Sequence, residues 1–420
     1  MRPGARPAGS RRISVIHALA VVGLLAGAAQ VARADVASDQ AAAILVFPKL
    51  RVDTKNVAGQ GRVDTLIRVS NTSAQAISMR CFYADATPVC SNGTGSCLAP
   101  GACTGVCVPQ WQETDFVVNI TARQPIAWLA SQGAAGCEES PVPGMPCFPL
   151  TTNGGRIGPN GQTNNGSRIP PAPEDPFIGE LKCIAVDRND VPVERNDLKG
   201  EVQITRVEVP QASGVDVETY NAIGIPSIPG TNNGDNTLIL GGNVCAGGAK
   251  AGSICAAAAD CPGGSCISAA EYSSCPNILI LDHFFDGATD PISGETVTTD
   301  LTLVPCSEDF LNQAPLTTPV QFLVFNEFEQ RFSTSRRITC FQEFRISDID
   351  THTPTKSIFS AAVNGTLTGQ TRMRGVADQD TGHGHTLLGV AEEFRGGRSS
   401  AAFNLHFTGS RPQSDFVYLP

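Results

Sequence analysis

The 420-residue chain carries 40 acidic against 30 basic residues, a formal net charge of −10. A surface of that sign argues against nucleic acid and anionic membranes as partners. Aromatic residues make up only 6% of the chain, with two Trp and four Tyr, so a core must rest on Val, Ile, Leu and Phe.

Arg2, Arg6, Arg11 and Arg12 give a basic, acid-free start. An apolar run from Ile13 to Ala29 follows, and then Val31-Ala32-Arg33-Ala34, with small residues where a signal peptidase reads. The pattern predicts a secretory signal over residues 1–34, Ala/Arg-rich in a bacterial style, that sends the chain to the cell surface or beyond. Cleavage after Ala34 leaves 25 basic against 40 acidic residues, a formal charge of −15. No cysteine follows the apolar run, which excludes lipid attachment at a new N-terminal Cys. Beyond residue 34 no run approaches the roughly 20 apolar residues of a membrane-crossing helix.

In an exported chain, fifteen cysteines predict a disulfide framework. Eight fall between Cys81 and Cys183, four lie at Cys245, Cys255, Cys261 and Cys266, and three remain at Cys275, Cys306 and Cys340. Pairing within these groups leaves one thiol among the last three. Cys306 is the expected partner of Cys340, and Cys275 the expected odd thiol.

In chain order, Ala43 to Val52 opens as a strand in which Pro48 marks an edge or a bulge. Asp64 to Tyr83 reads as strand, bend and strand, the second run carrying Cys81-Phe82. Residues 86–110, with Cys90, Cys97, Cys103 and Cys107, have too little apolar content to pack alone and form a loop tied by its own bridges. Asp115 to Ala122 alternates as a half-buried strand. Residues 133–176, rich in Gly, Pro and Asn, form a long surface excursion without assigned structure. Strands follow over 177–186, 200–209 and 215–225, and a change of phase within the middle one suggests a bulge.

The insertion 241–275 is small, rich in Gly, Ala and Cys, and expected to hold two local bridges of about 3 kcal/mol each. Its ending, Cys255 to Cys266, resembles short cysteine-rich modules of secreted bacterial proteins, a resemblance that implies no activity. Further strands are read at 299–306, 357–375, 386–394 and 401–408, the last placing Phe403, Leu405 and Phe407 on one face. Val320 to Phe344 resembles the earlier Asp64 to Tyr83 stretch. Asn71 lies ten residues before Cys81 and Asn326 fourteen before Cys340, each followed by a Cys-Phe pair, which suggests an internal duplication.

No helix is expected in the mature chain. Many short strands with Gly and Pro turns indicate an all-β protein of two β-sandwich domains, immunoglobulin-like or jelly-roll-like. The N-terminal one spans 35–285, with loops 86–110 and 133–176 and the Cys-rich insertion, and the C-terminal one spans 286–420.

The common catalytic signatures are missing: no G-x-S-x-G, no H-E-x-x-H, and no phosphate-cradling glycine loop. Acid pairs such as Glu201 with Glu208 or Glu392 with Glu393 would suit a hydrolase with scattered carboxylates, although exposed strand acids are far commoner. The densest constellation is Asp378, Asp380, His383 and His385, where alternation in extended chain places the two acids on one face and the two imidazoles together. Such a set suits a transition metal or calcium, against the plainer reading of a polar loop shaped by Gly382 and Gly384. Asn232, Asp235 and Asn236, and Asp348 with Asp350, are rich enough in oxygen for calcium but also suit ordinary turns. N-x-S/T triplets at Asn71, Asn92, Asn119, Asn165 and Asn364 read as chance occurrences. Zinc is the alternative for Cys245, Cys255, Cys261 and Cys266, which lack C-x2-C pairs.

These observations point to a non-catalytic, exported structural or adhesion protein that meets a protein or glycan at a cell surface. The alternative is a secreted carbohydrate-binding protein or hydrolase. Its aromatic platforms would have to come from Trp111, Trp128, Tyr83, Tyr220, Tyr272 and Tyr418.

Overall fold

The computed structural model describes residues 36–420 except 94–96, 100, 102, 135–155, 158–162, 165–168, 209–213, 252–253, 256, 377–385 and 409–414. Cys137 and Cys147 fall outside the described residues. Everything from residue 35 onward forms one compact unit.

The first half runs through β1 (Ile44–Val52), β2 (Arg62–Asn71), β3 (Ile77–Asp85), β4 (Pro88–Cys90), β5 (Cys107–Pro109), β6 (Gln112–Ile120) and β7 (Pro125–Leu129). It continues with β8 (Arg156–Ile157), β9 (Thr163–Asn164), β10 (Phe177–Val186), β11 (Leu198–Val207), β12 (Val215–Asn221) and β13 (Ile223–Ile225). Next, β14 (Thr237–Leu240) precedes the small Cys-rich sheet of β15 (Asn243–Ala246), β16 (Ile254–Cys255) and β17 (Ser265–Ser268). The second half contains β18 (Ile278–Phe284), β19 (Val297–Pro305), β20 (Glu308–Asp309), β21 (Thr317–Asn326), β22 (Arg331–Thr339) and β23 (Gln342–Arg345). After the one-turn helix α1 (Ala361–Asn364) come β24 (Thr368–Gly375), β25 (Leu387–Arg395), β26 (Arg398–Asn404), β27 (His406–Thr408) and β28 (Asp415–Tyr418).

The chain is nearly all-β, with 54% strand and 4% helix, and its small sheets are arranged as a five-blade β-propeller, not as two β-sandwich domains. Strand alternation was legible, but it is the same for a strand in a stacked pair of sheets and in a blade. Long-range pairing decides between them. β28 pairs antiparallel with β14 and parallel with β20, so one sheet unites the two halves of the chain. One hydrophobic cluster likewise joins Phe47, Tyr83, Trp128 and Leu181 of the first half with Val304, Phe310, Leu388 and Val417 of the second.

The strands form where apolar residues recur at period two. β2 buries Val63, Thr65, Ile67, Val69 and Asn71 on one face, and β21 buries Thr318, Val320, Phe322, Val324 and Asn326. β1 and β10 are buried almost throughout because neighbours cover both faces. Pro48 removes a ladder donor, and the register of β1 against β10 shifts between Phe47 and Leu50: a bulge inside the sheet, not an edge. The bulge expected in β11 is absent, since its pairing with β2 and β12 is continuous.

An internal repeat is present, in a different register from the one the Cys-Phe pairs suggest. The five-stranded sheet β13-β1-β10-β3-β6 has the same order as β27-β18-β24-β21-β22, and the four-stranded sheet β12-β11-β2-β7 the same order as β26-β25-β19-β23. Thus β2 corresponds to β19 and β3 to β21. The two Cys-Phe stretches are not equivalent: β2 and β3 lie in different sheets, while β21 and β22 pair as a hairpin. The expected single strand 401–408 is broken at Leu405, where the chain passes from one sheet to the other, as it does at Ala222 in the first copy. The Leu405 N–H donates to the Gly389 carbonyl at 3.1 Å and the Ala222 N–H to that of Gly200 at 2.9 Å.

Six disulfides lie among the described residues. Cys81–Cys183 ties the adjacent strands β3 and β10 across 102 residues of sequence, a loop whose closure stabilises by about 4–5 kcal/mol in the chain-entropy model. Cys90–Cys103 and Cys97–Cys107 pin the β4–β5 hairpin, and Cys245–Cys261 with Cys255–Cys266 pin the Cys-rich sheet. The expected Cys306–Cys340 pair does not form. Cys306 bonds Cys275, and Cys340, just beyond the β22 hairpin, is a buried free thiol. Parity located the odd thiol among three cysteines, but only the fold selects which two meet. No helix among the described residues is long and apolar enough to cross a membrane.

Burial pushes the Cys340 thiol well above its ordinary range, so it should resist thiol reagents in the native state. Alkylation in denaturant without reductant, followed by peptide mapping, is expected to label Cys340 and leave Cys275 and Cys306 unmodified. Label on Cys275 would restore the pairing expected from sequence.

A buried charge cluster and its cleft as the candidate functional site

Lys49 sits in the β1 bulge with 1% of its surface exposed. The shift that Pro48 imposes frees backbone groups there, and one side chain satisfies both. The Lys49 N–H donates to the Tyr220 hydroxyl at 3.0 Å, and that hydroxyl donates to the Lys49 carbonyl. With its backbone held, Lys49 extends Nζ toward the second repeat, where it donates to Glu343 on β23 at 3.0 Å and to Glu392 on β25. Arg51, two residues along the same strand, donates to the same Glu343 oxygen at 2.5 Å.

Asp300 on β19 completes the cluster, 3.6 Å from Arg345. Lys49, Arg51 and Arg345 therefore meet three carboxylates, those of Asp300, Glu343 and Glu392. Burial alone would raise Glu343, but the charges of Arg51 and Lys49 outweigh it and hold the group at about 2. Burial would lower Lys49, yet Glu343 and Glu392 keep it above its ordinary value. Asp300 is raised, by burial first and then by Glu343 and Glu392, against the opposing effect of Lys49.

Beside the cluster opens a cleft of about 450 Å³, walled by Arg51, Asp300, Glu343, Arg345 and Phe344 and roofed by Pro88 and Cys107 of the pinned hairpin. Oxygens of Asp300, Glu343 and Glu392 lie within 4.8 Å of one another, a spacing that suits a cation. Lys49 and Arg51 already fill that role, so an added ion would have to displace an ammonium group. The arrangement suits polar or charged ligand groups at the cleft mouth and a structural ion-pair network at its base.

The residues singled out from sequence are dispersed. Asp378, Asp380, His383 and His385 lie outside the described residues. Asn232, Asn233 and Asp235 accept backbone N–H groups two residues on, as successive turns do. Asp350 accepts from the Ser357 hydroxyl at 2.5 Å and the Ile358 N–H at 3.0 Å, and the Asp348 carbonyl accepts from Arg336. Glu201 pairs with Arg68 and Glu208 with Arg398. Glu392 and Glu393 point opposite ways, the first to Lys49 and the second to Arg395. The Cys-rich thiols are consumed by disulfides, which removes the zinc alternative.

Among the N-x-S/T triplets, the Asn71 amide donates to the Gln75 and Thr121 carbonyls and that of Asn364 to the Ile358 and Ser360 carbonyls, so both are committed inside the protein. Of the aromatic candidates, Trp128, Tyr83, Tyr220 and Tyr272 are buried, and Trp128 Nε1 donates to the Tyr83 hydroxyl at 2.8 Å. Compared with known proteins, the chain matches no family model and no curated sequence.

Sequence reasoning missed Lys49, Arg51, Asp300 and Glu343. The available signal was charge inside runs otherwise apolar, as in Phe-Pro-Lys-Leu-Arg-Val, where an exposed strand would be expected to alternate.

Lys49→Met removes the cation from two buried carboxylates and should cost about 3–5 kcal/mol in urea unfolding, partly recovered by adding Glu392→Leu. Glu343 provides a pH signature. Its folded pKa lies below its unfolded value, so its contribution is complete above roughly pH 4.3 and is lost as pH falls through about 2. Melts between these limits should fall more steeply for the wild type than for Glu343→Gln.

Proposed function

We propose that the protein is exported and acts without catalysis as a cell-surface or extracellular structural or adhesion component that recognises a protein or glycan. The observation that carries this reading is the contrast between inside and outside. Among the described residues, the densest charged groups, around Lys49 and Lys182, are paired in the interior. What the fold presents outward is a hairpin held by two disulfides, on which Val89 and Val108 pair across β4 and β5 and Val106 follows at 69% exposure. Rigid, pinned loops with exposed apolar side chains suit recognition, since little ordering entropy is lost on binding. The disulfides and the signal-like N-terminus support an oxidising location. The burial of four of the six Trp and Tyr candidates weighs against an aromatic-lined glycan groove.

The test pairs a glycan and matrix-protein array with a panel of chromogenic glycosides. Wild type should bind without turnover, and a Val89→Asp/Val106→Asp/Val108→Asp variant should keep its melting temperature while losing at least about tenfold in affinity. Turnover of any glycoside that disappears in Glu343→Gln would overturn the non-catalytic reading.

A further inference from the structure

A second buried charge cluster, between β10 and β20, has a different chemistry from that of Lys49. On β10, Glu180 and Lys182 alternate onto one face, with 0% and 1% of their surfaces exposed. Facing them is Glu308 of β20, 2% exposed, with its Oε2 at 2.9 Å from Lys182 Nζ. The surroundings are apolar: Phe82 stacks on Phe310 with ring centroids 4.3 Å apart, and Nζ lies 5.7 Å from the Phe310 ring. The Glu180 and Glu308 carboxyl groups face each other without an N–H or hydroxyl group donating to them, and Nζ lies against Glu308. Burial, and then the neighbouring Glu308 carboxylate, push the Glu180 carboxyl well above its ordinary value.

An amine, a carboxyl carbon and a second carboxyl group whose burial favours its acid form, held together in an apolar site, are the three components of an amide condensation. We propose that Lys182 and Glu308 become joined as an intramolecular isopeptide bond, with Glu180 as the proton-transfer group. The Lys182 ammonium gives a proton to the carboxylate pair, and the free Nζ attacks Cδ of Glu308. Glu180 protonates the departing oxygen and takes up the second nitrogen proton. A C–N bond forms, one C–O bond breaks, and one water leaves, so atoms and charge balance without an oxidant or co-reactant. The 2.9 Å contact sets Nζ against the carboxyl group whose carbon it would attack, and a neighbouring acid supplies general acid–base assistance.

The Lys49 cluster lacks this arrangement. There Arg51 accompanies the amine and Glu343, paired with both cations, is held ionised, which makes its carbon a poor electrophile. The bond would join β10 of the first repeat to β20 between β19 and β21 of the second, which makes it a covalent tie between the halves beyond the reading of function given above.

Mass spectrometry of the full chain as secreted, reduced and digested, is the test. Wild type should yield a branched peptide joining the Lys182 and Glu308 segments, lighter than the two separate peptides by one water. Glu308→Gln should yield the same branched peptide by losing ammonia instead, Lys182→Arg none, and Glu180→Leu a strongly reduced fraction. Recovery of the two wild-type segments only as separate, unmodified peptides would overturn the proposal, and that measurement needs no variant to fold.

Discussion

A charge placed in an apolar interior must be matched there, and this constraint organises the molecule. Lys49 and Lys182 belong to the first repeat, and each is 1% exposed. Their carboxylate partners, Glu343, Glu392 and Glu308, all belong to the second half of the chain. An isolated buried ammonium costs several kcal/mol after relaxation, more than most single contacts return. The first repeat is therefore electrostatically incomplete alone, and the two repeats are complementary as well as similar. Similarity comes from the shared strand order, and complementarity from charges that differ between the copies.

Much of the local structure was legible in the sequence. Period-two burial located β2, β6 and β21, Pro48 marked a bulge, and the cysteines of the β4–β5 hairpin and the Cys-rich sheet pair locally as their spacing suggests. What failed depends on contacts between distant segments. A strand alternates in the same way whether its sheet packs as one of two layers or as a blade, so the sandwich architecture was underdetermined. Cys306 bonds Cys275 and leaves Cys340 a buried free thiol, a choice no spacing argument reveals. The repeat was sensed through a Cys-Phe coincidence, while its physical signature is elsewhere, in Gly200 and Gly389. A Cβ at Gly200 would lie 2.6 Å from Phe47, and one at Gly389 would lie 2.7 Å from the Thr302 carbonyl, so both positions admit only glycine beside the strand that changes sheets.

The candidate site was the least legible part. Motif reasoning favours residues that are dense in sequence, such as Asp378 to His385, whereas the described clusters gather residues from distant strands, β1, β19, β23 and β25 in one and β10 and β20 in the other. Their sequence trace is the unusual one of Lys, Arg or Glu within an apolar strand. Such residues are expensive to bury, and their presence in runs such as Gly-Glu-Leu-Lys-Cys-Ile marks a partner elsewhere in the fold.

β28 has a further consequence for the order of assembly. It is the strand with which both β14 and β20 pair, and the backbone beyond it is held as well, the Leu419 N–H donating to the Asn236 carbonyl and the Pro420 carbonyl accepting from Arg80. When the chain is delivered from its N-terminus, at a ribosome or through a translocation pore, those two strands have open edges until residues 415–418 arrive. Unpaired edges invite pairing with other chains. Completion of that sheet, and protection of its edges from other chains, therefore wait for residues 415–418.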